Sequence, residues 1–276
     1  MKSRVAPAEP SIRRGYFECR YGQLHVRNAI PAGGGFDEGT PLLLLHHSPM
    51  SGAVFRGLLA RLGRDRSVYA PDLPGFGESD PPPSPPSIAD YAAALADFLD
   101  TMRFRQIDVV GYQSGSLVAA ELALARPACV RRVAWVSFPM ASEGDREAFR
   151  SAPWPAQPVA DGSYLSVEWG RTRRASPALP LDSLARIVAG KLHNGPHAWW
   201  GMQAALEYSA RSRLGGITQP ALFVRPKDDY WDATLEARAL LPRARFMELP
   251  DVGNEAFESA AERMADVLQE FLRVKG

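Results

Sequence analysis

Apolar residues in this chain fall first into short alternating stretches and then into unbroken runs. Two β-prone stretches, Tyr16–Arg20 and Gln23–Ala29, flank Tyr21-Gly22, which predicts an antiparallel hairpin. A Gly-rich turn at Ala32–Gly35 leads to Pro41–His46, where Leu42-Leu43-Leu44-Leu45 has no polar interruption. Such a run suits a strand buried on both faces, as in a parallel sheet. Strands and helices then alternate: helix Ala53–Leu62, strand Ser67–Ala70, a Pro/Gly-rich loop Pro71–Pro86 and helix Ile88–Met102. Ser87 opens that helix with Asp90 three residues on, a near capping box. Strand Ile107–Val110, the tight turn Gly111–Gly115, helix Ser116–Ala125 and strand Val133–Phe138 continue the series. The succession predicts an α/β fold: a mostly parallel, doubly wound sheet with helices on both faces and an N-terminal antiparallel hairpin.

The alternation stops at 141–216, which is Pro-rich at first and then helical. This segment holds Trp154, Trp169, Trp199 and Trp200, four of the six tryptophans, with His193 and His197. The sheet pattern resumes with strand Ala221–Val224, helix Ala233–Leu241, strand Arg245–Leu249 and a terminal helix Glu255–Leu272. An aromatic-rich insertion between two halves of a sheet reads as a helical lid over a pocket. Its Pro content disfavours a second domain with its own core. The expected organisation is therefore a core of 1–140 and 217–276 with a lid of 141–216. No internal repeats appear, and the short PPPSPP run at 81–86 only stiffens its loop.

Composition narrows the partners. The 276 residues carry 32 Lys and Arg against 31 Asp and Glu, a formal charge of +1, which gives no reason to expect nucleic acid or an anionic membrane. No run approaches the ~20 apolar residues of a membrane span, and the basic N-terminus lacks the apolar stretch of a signal peptide. Cys19 and Cys129 lie in separate elements without metal-ligand spacing, so two thiols in a reducing cytoplasm are expected.

Three segments together resemble the α/β-hydrolase superfamily over nearly the whole chain. Leu42–Pro49 (LLLLHHSP) is similar to the strand and His-Gly loop that supply half of an oxyanion hole, with His47 at the usual Gly. Val68–Ser79 (VYAPDLPGFGES) is similar to the loop after the next strand, and Val109–Ala120 (VVGYQSGSLVAA) has the strand–turn–helix context of a nucleophile elbow. That elbow reads Gly111-Tyr112-Gln113-Ser114-Gly115, so Gln113 stands at the nucleophile position, and an amide has no ionisable nucleophilic atom. The loop before the last helix in the family carries a Gly-His pair. Here Gly253-Asn254 places Asn254 at that histidine, and Asn cannot serve as a general base near neutral pH. Pro226-Lys227-Asp228-Asp229 matches the turn bearing the triad carboxylate, with Asp229 favoured and Asp228 the near alternative.

The resemblance thus implies the fold with a degenerate triad, for which ordinary Ser–His–Asp hydrolysis is not expected. The backbone N–H groups of Ser48 and Ser114 are the expected oxyanion-hole donors, and the Ser114 hydroxyl reads as a helix cap. His47 has a side chain suited to acid–base work at its ordinary pKa of about 6.5, against a loop histidine bonded locally, with the two readings about even. His46 reads as structural. Tyr112, His193, His197, Trp199 and Trp200 are the candidate substrate-binding side chains, although a surface position is the commoner fate of lid histidines. No cofactor is implied. A metal site of His47, His193, His197 and Asp229 finds no support in the spacing.

Three functional readings follow. The first is an enzyme acting on a small, apolar or ring-bearing molecule by non-covalent lyase-, cyclase- or hydrolase-like chemistry. The second is a non-catalytic small-molecule binding protein. The third is a hydrolase with a displaced nucleophile, Ser114 or Ser48, and a lid histidine as base. The expected partner is a small molecule, with a homodimer as one option for assembly.

Overall fold

The computed structural model describes residues 9–33, 38–151 and 158–273. Trp154 and the Gly34-Gly35 part of the predicted turn lie outside these residues. One eight-stranded sheet runs in the order β1-β2-β4-β3-β5-β6-β7-β8. The hairpin is longer than its alternating core suggests: β1 (Ser11–Cys19) pairs antiparallel with β2 (Gly22–Ile30) from Ser11↔Ile30 to Cys19↔Gly22. β2 joins β4 (Val68–Pro71) antiparallel, and every pairing from there on is parallel. β3 (Leu42–Leu45) is wholly buried between β4 and β5 (Ile107–Tyr112), as its four leucines require.

The two faces of the sheet carry separate apolar layers. On one, α1 (Arg56–Leu62) and α11 (Ala261–Arg273) bring Leu58, Leu59, Leu62, Leu268 and Phe271 against Leu42, Leu44 and Val110. On the other, α2 (Ile88–Thr101) and α3 (Ser114–Ala125) bury Leu95, Phe98, Leu117 and Val118 against Leu43, Leu45 and Val109. α2 starts on a complete capping box: Ser87 N–H donates to Asp90 Oδ2 at 2.9 Å, and Asp90 N–H donates to Ser87 Oγ at 3.2 Å.

Several boundaries differ from the sequence pattern, each for a local reason. The predicted helix Ala53–Leu62 opens with a 3₁₀ turn, Gly52–Phe55, because Ser51 Oγ accepts the Ala53 N–H. β6 covers Val130–Val136 and stops before Phe138, since Ser137 turns into the left-handed region at φ 56. α3 starts at Ser114 instead of Ser116, because Gln113 alone makes the turn. The terminal helix is two pieces, α10 (Ala256–Ser259) and α11, separated at Ala260, whose φ of −134 is not helical.

Between β6 and β7 (Ala221–Pro226) run α4 (Glu143–Ser151), α5 (Ser163–Ala175), α6 (Leu181–His193), α7 (Trp200–Glu207) and α8 (Ala210–Arg213). After β7 come α9 (Trp231–Ala239) and β8 (Arg245–Leu249). No helix among the described residues is long and apolar enough to cross a membrane.

Candidate active site

The order β4-β3-β5 reverses the direction of sheet growth at β3, and in such sheets ligands settle beyond the carboxyl ends of the strands at that point. A cavity of about 530 Å³ lies there. Its floor is made by the loop after β3 (His47, Ser48), by Gln113 after β5, and by the loops after β7 and β8 (Asp229, Asn254). Its upper wall comes from the helical segment between β6 and β7, through Phe149, Tyr164, Leu192, Trp199 and Met202. A cavity of this size and mixed lining suits a small organic molecule.

Gln113 sits between β5 and α3 with φ 48 and ψ −119, a conformation that costs a non-glycine residue roughly 1–3 kcal/mol. Hydrogen bonds hold it there: its N–H donates to Val136 O at 2.9 Å and its carbonyl accepts Ser116 N–H at 2.8 Å. The flanking glycines allow no side chain. A Cβ on Gly111 would strike Gly115 and Ser116 backbone, and one on Gly115 would strike the carbonyls of Leu45 and His46. The Gln113 side chain lines the cavity. Asn254 does not tie to it, because its Nδ2 donates to Ala175 O at 3.1 Å and its Oδ1 accepts Asp229 N–H at 3.4 Å. Of the two neighbouring acids, Asp229 faces the cavity, while Asp228 turns back to accept Tyr230 N–H at 2.9 Å.

The oxyanion loop holds two surprises. Ser48 N–H donates to Ser114 Oγ at 2.8 Å, so an anion reaches this amide only by displacing the hydroxyl. His47 lines the cavity but is only 8% exposed, and burial, aided by the charges of His46 and Lys191, pushes its pKa down to about 3. The imidazole is therefore neutral across the physiological range, a hydrogen-bonding group and not the proton carrier its ordinary pKa suggests. Its Nδ1 has no partner. His46 is structural: Nδ1 bonds His47 O at 2.9 Å and Nε2 accepts Leu73 N–H at 2.8 Å.

Four sequence candidates stand away from the cavity. Tyr112 is fully buried beneath it, edge-on to His47 at 4.7 Å and to Phe257 at 4.9 Å. A strand residue next to the elbow points to the opposite face of the sheet from the elbow residue itself. His193, at the end of α6, turns outward to Gly77 O at 2.9 Å and lies 3.4 Å from Glu78. His197 packs on Trp200 at 4.4 Å, and neither lines the cavity. Trp199 is the member of this group that does, with its ring 6.4 Å from Phe149.

Charged residues that the motifs do not mark line the same space. Glu168 accepts from Arg171 Nη1 at 3.2 Å and lies 3.5 Å from Lys191 Nζ, which also donates to Thr172 Oγ1 at 3.0 Å. Glu255, the residue after Asn254, adopts φ 59 and accepts from Ser176 Oγ at 3.4 Å. Burial holds its carboxyl above the usual range against the opposing pull of Lys191. Adjacency to Asn254 was the one signal in the sequence that could have found Glu255. Glu168, Arg171 and Lys191 come from helices whose facing no motif fixes.

The sequence profile of the alpha/beta hydrolase family matches residues 42–267. The chain belongs to that family. An uncharacterized protein of Mycobacterium tuberculosis is 32% identical over 153 residues, 55% of this chain and 42% of that protein. The chain therefore matches only about two fifths of the length of that relative. A poly(3-hydroxyalkanoate) depolymerase of Ectopseudomonas oleovorans is 24% identical over 246 residues, 85% of this chain and 84% of the depolymerase. Among solved structures, an enol-lactonase from Burkholderia xenovorans LB400 superposes with a TM-score of 0.74 at 20% identity, covering 94% of this chain and 100% of the lactonase. This alpha/beta hydrolase thus shares the scaffold of its relatives, and its own site decides the chemistry.

Proposed function

We propose that this alpha/beta hydrolase binds a small, largely apolar or ring-bearing organic molecule under a lid formed by 141–216, and acts on it without a covalent enzyme intermediate. The observation that carries this reading is Gln113 at the strained elbow, facing the cavity with an amide where nucleophilic catalysis needs an ionisable atom. Asn254 in the loop after β8 removes the general base from the same floor, so the two losses act together. Gln113, Asn254 and neutral His47 supply donors and acceptors that can orient a carbonyl or hydroxyl group, and the aromatic wall covers its apolar remainder. The similarity to a poly(3-hydroxyalkanoate) depolymerase supports a substrate with a carbonyl oxygen for this chain.

A second reading, binding without turnover, is favoured by one specific contact: the Ser48 N–H that would stabilise a developing oxyanion is already satisfied by Ser114 Oγ. A two-stage experiment separates them. A panel of aromatic and alicyclic esters, lactones and ketones is screened by thermal shift, and compounds that stabilise the protein are incubated with it and followed by NMR. Turnover of at least one, with no stoichiometric fluorophosphonate adduct on Ser114 or Ser48 by mass spectrometry, is the expected result. Stabilisation without turnover supports the binding reading. A fluorophosphonate adduct on Ser114 overturns both in favour of a displaced serine nucleophile.

A further inference from the structure

Beneath the cavity floor, polar atoms gather without partners. Tyr112 is fully buried and its hydroxyl is unpaired, as are His47 Nδ1, Glu255 Oε2 and Glu258 Oε2. Unpaired buried polar atoms are costly, and two of these residues, His47 and Glu255, line the cavity, so the group calls for an occupant or a function. α10 puts the two glutamates on one turn, with Glu255 at the N-cap position and Glu258 three residues along. The Tyr112 hydroxyl lies within the field of both carboxyls. We propose that Glu255 is the proton donor and acceptor of this cavity, with Glu258 as the partner that shares its proton.

The surroundings fit that task from every side. Lys191 of α6 faces Glu255 and stabilises the carboxylate left after a proton departs, and Ser176, just beyond α5, offers a hydroxyl at 3.4 Å. Asp229, after β7, opposes ionisation by its own charge. Among the described residues no cation offsets Glu258: burial and the charge of Glu255 push its pKa up to about 8. Glu258 N–H donates to the Glu255 carbonyl at 3.0 Å, so both carboxyls branch from one turn of the chain. Like charges there oppose ionising together, and one proton stays on the pair at neutral pH. In the transfer, the O–H bond of Glu255 breaks as an O–H bond forms to an oxygen lone pair of the bound molecule. The bonding electrons remain on the carboxylate, and return of the proton restores the acid. His47, held neutral by burial, leaves this role open, and Asn254 has no chemistry for it.

The use of the proton rests on the reaction proposed above, while its presence does not, and the experiment reads the two separately. Dicyclohexylcarbodiimide, an apolar reagent for protonated carboxyls, is applied to the intact protein across pH 5 to 9, and adducts are mapped by peptide mass spectrometry. A near-stoichiometric adduct within Glu255–Ser259 at pH 7, fading as pH rises through about 8, is expected. E258Q removes the like charge, so labelling of Glu255 should then fade at least one pH unit lower. Absence of an adduct at pH 7, or labelling that ignores pH, overturns the inference even if turnover is found. For any compound turned over, E255Q should lower kcat at least 100-fold with KM within about threefold, and E255D should recover part of it. A kcat unchanged in E255Q overturns the inference, whereas labelling without any turnover supports it and removes only the proposed reaction.

Discussion

Two turns of this molecule force a residue other than glycine into positive φ at the cavity, Gln113 at 48 and Glu255 at 59, and they differ in what surrounds them. Around the elbow the backbone groups and the Ser114 and Ser116 hydroxyls are paired. Gln113 bonds to Val136 and Ser116, Ser116 Oγ donates to Gly111 O at 2.9 Å, and Ser114 Oγ is filled by the Ser48 amide. Around Glu255 the backbone is equally unusual, yet the carboxyls of Glu255 and Glu258 and the Tyr112 hydroxyl keep unpaired atoms. At its cavity-facing position the elbow carries an amide, Gln113, which does not titrate. The loop after β8 carries Asn254 followed by the titratable Glu255. The strained position at the elbow is held by the backbone hydrogen bonds of the strand and helix packed around it.

The comparison can be broken at several points. Gly115→Ala drives a methyl group into the carbonyls of Leu45 and His46, so a loss of about 3 kcal/mol or more in urea unfolding is expected. A loss under about 1 kcal/mol would mean that the elbow is not held as tightly as its hydrogen bonds suggest.

Glu258→Gln tests the loop. A carboxyl raised from 4.5 to about 8 on folding keeps its proton in the native state while the unfolded chain has released it. Native stability is therefore unaffected below about pH 4.5, falls as pH rises between these values, and stays reduced above about 8. The variant should gain on wild type across that window, by about 2 kcal/mol in total once solvent screening is allowed for. Parallel curves of Tm against pH for the two proteins would remove the buried pair from the account.

His47→Gln has the opposite sign. A base lowered from 6.5 to about 3 stays neutral in the native state while the unfolded chain binds a proton. Stability is full above about pH 6.5 and is lost as pH falls, so the variant should resist acid better by about 1–2 kcal/mol near pH 4. The smallest effect is expected at the elbow residue itself. Gln113→Gly releases the backbone strain at φ 48, and relief less the entropy of an added glycine leaves a gain of about 1 kcal/mol or less. A clear loss there would show that the amide contributes contacts that outweigh its strain.

How much could be read from the sequence varies by region. The four leucines of β3 and the glycines of the elbow carry their structure in local pattern, and their place in the sheet follows the expected order. The facing of His193, His197 and Trp200 was not legible. Their fate is set by how α6 and the turns after it dock, which a pattern of aromatic residues does not specify. Tyr112 illustrates the alternation rule: one residue from Gln113, it lies beneath the floor and not on it.

What the sequence determined alone is the scaffold and the presence of an amide, Gln113, at the elbow. Hydrophobic period and turn residues act over a few positions, and an amide at the elbow is an amide in any fold. What the tertiary structure decided is the electrostatic character of the groups that remain. His47 became a neutral hydrogen-bonding ring, the Ser48 amide was claimed by Ser114, and Glu255 was drawn beside Lys191 and Glu258. Each of these outcomes depends on burial and on neighbours distant in the chain, and burial is a property of the packed molecule.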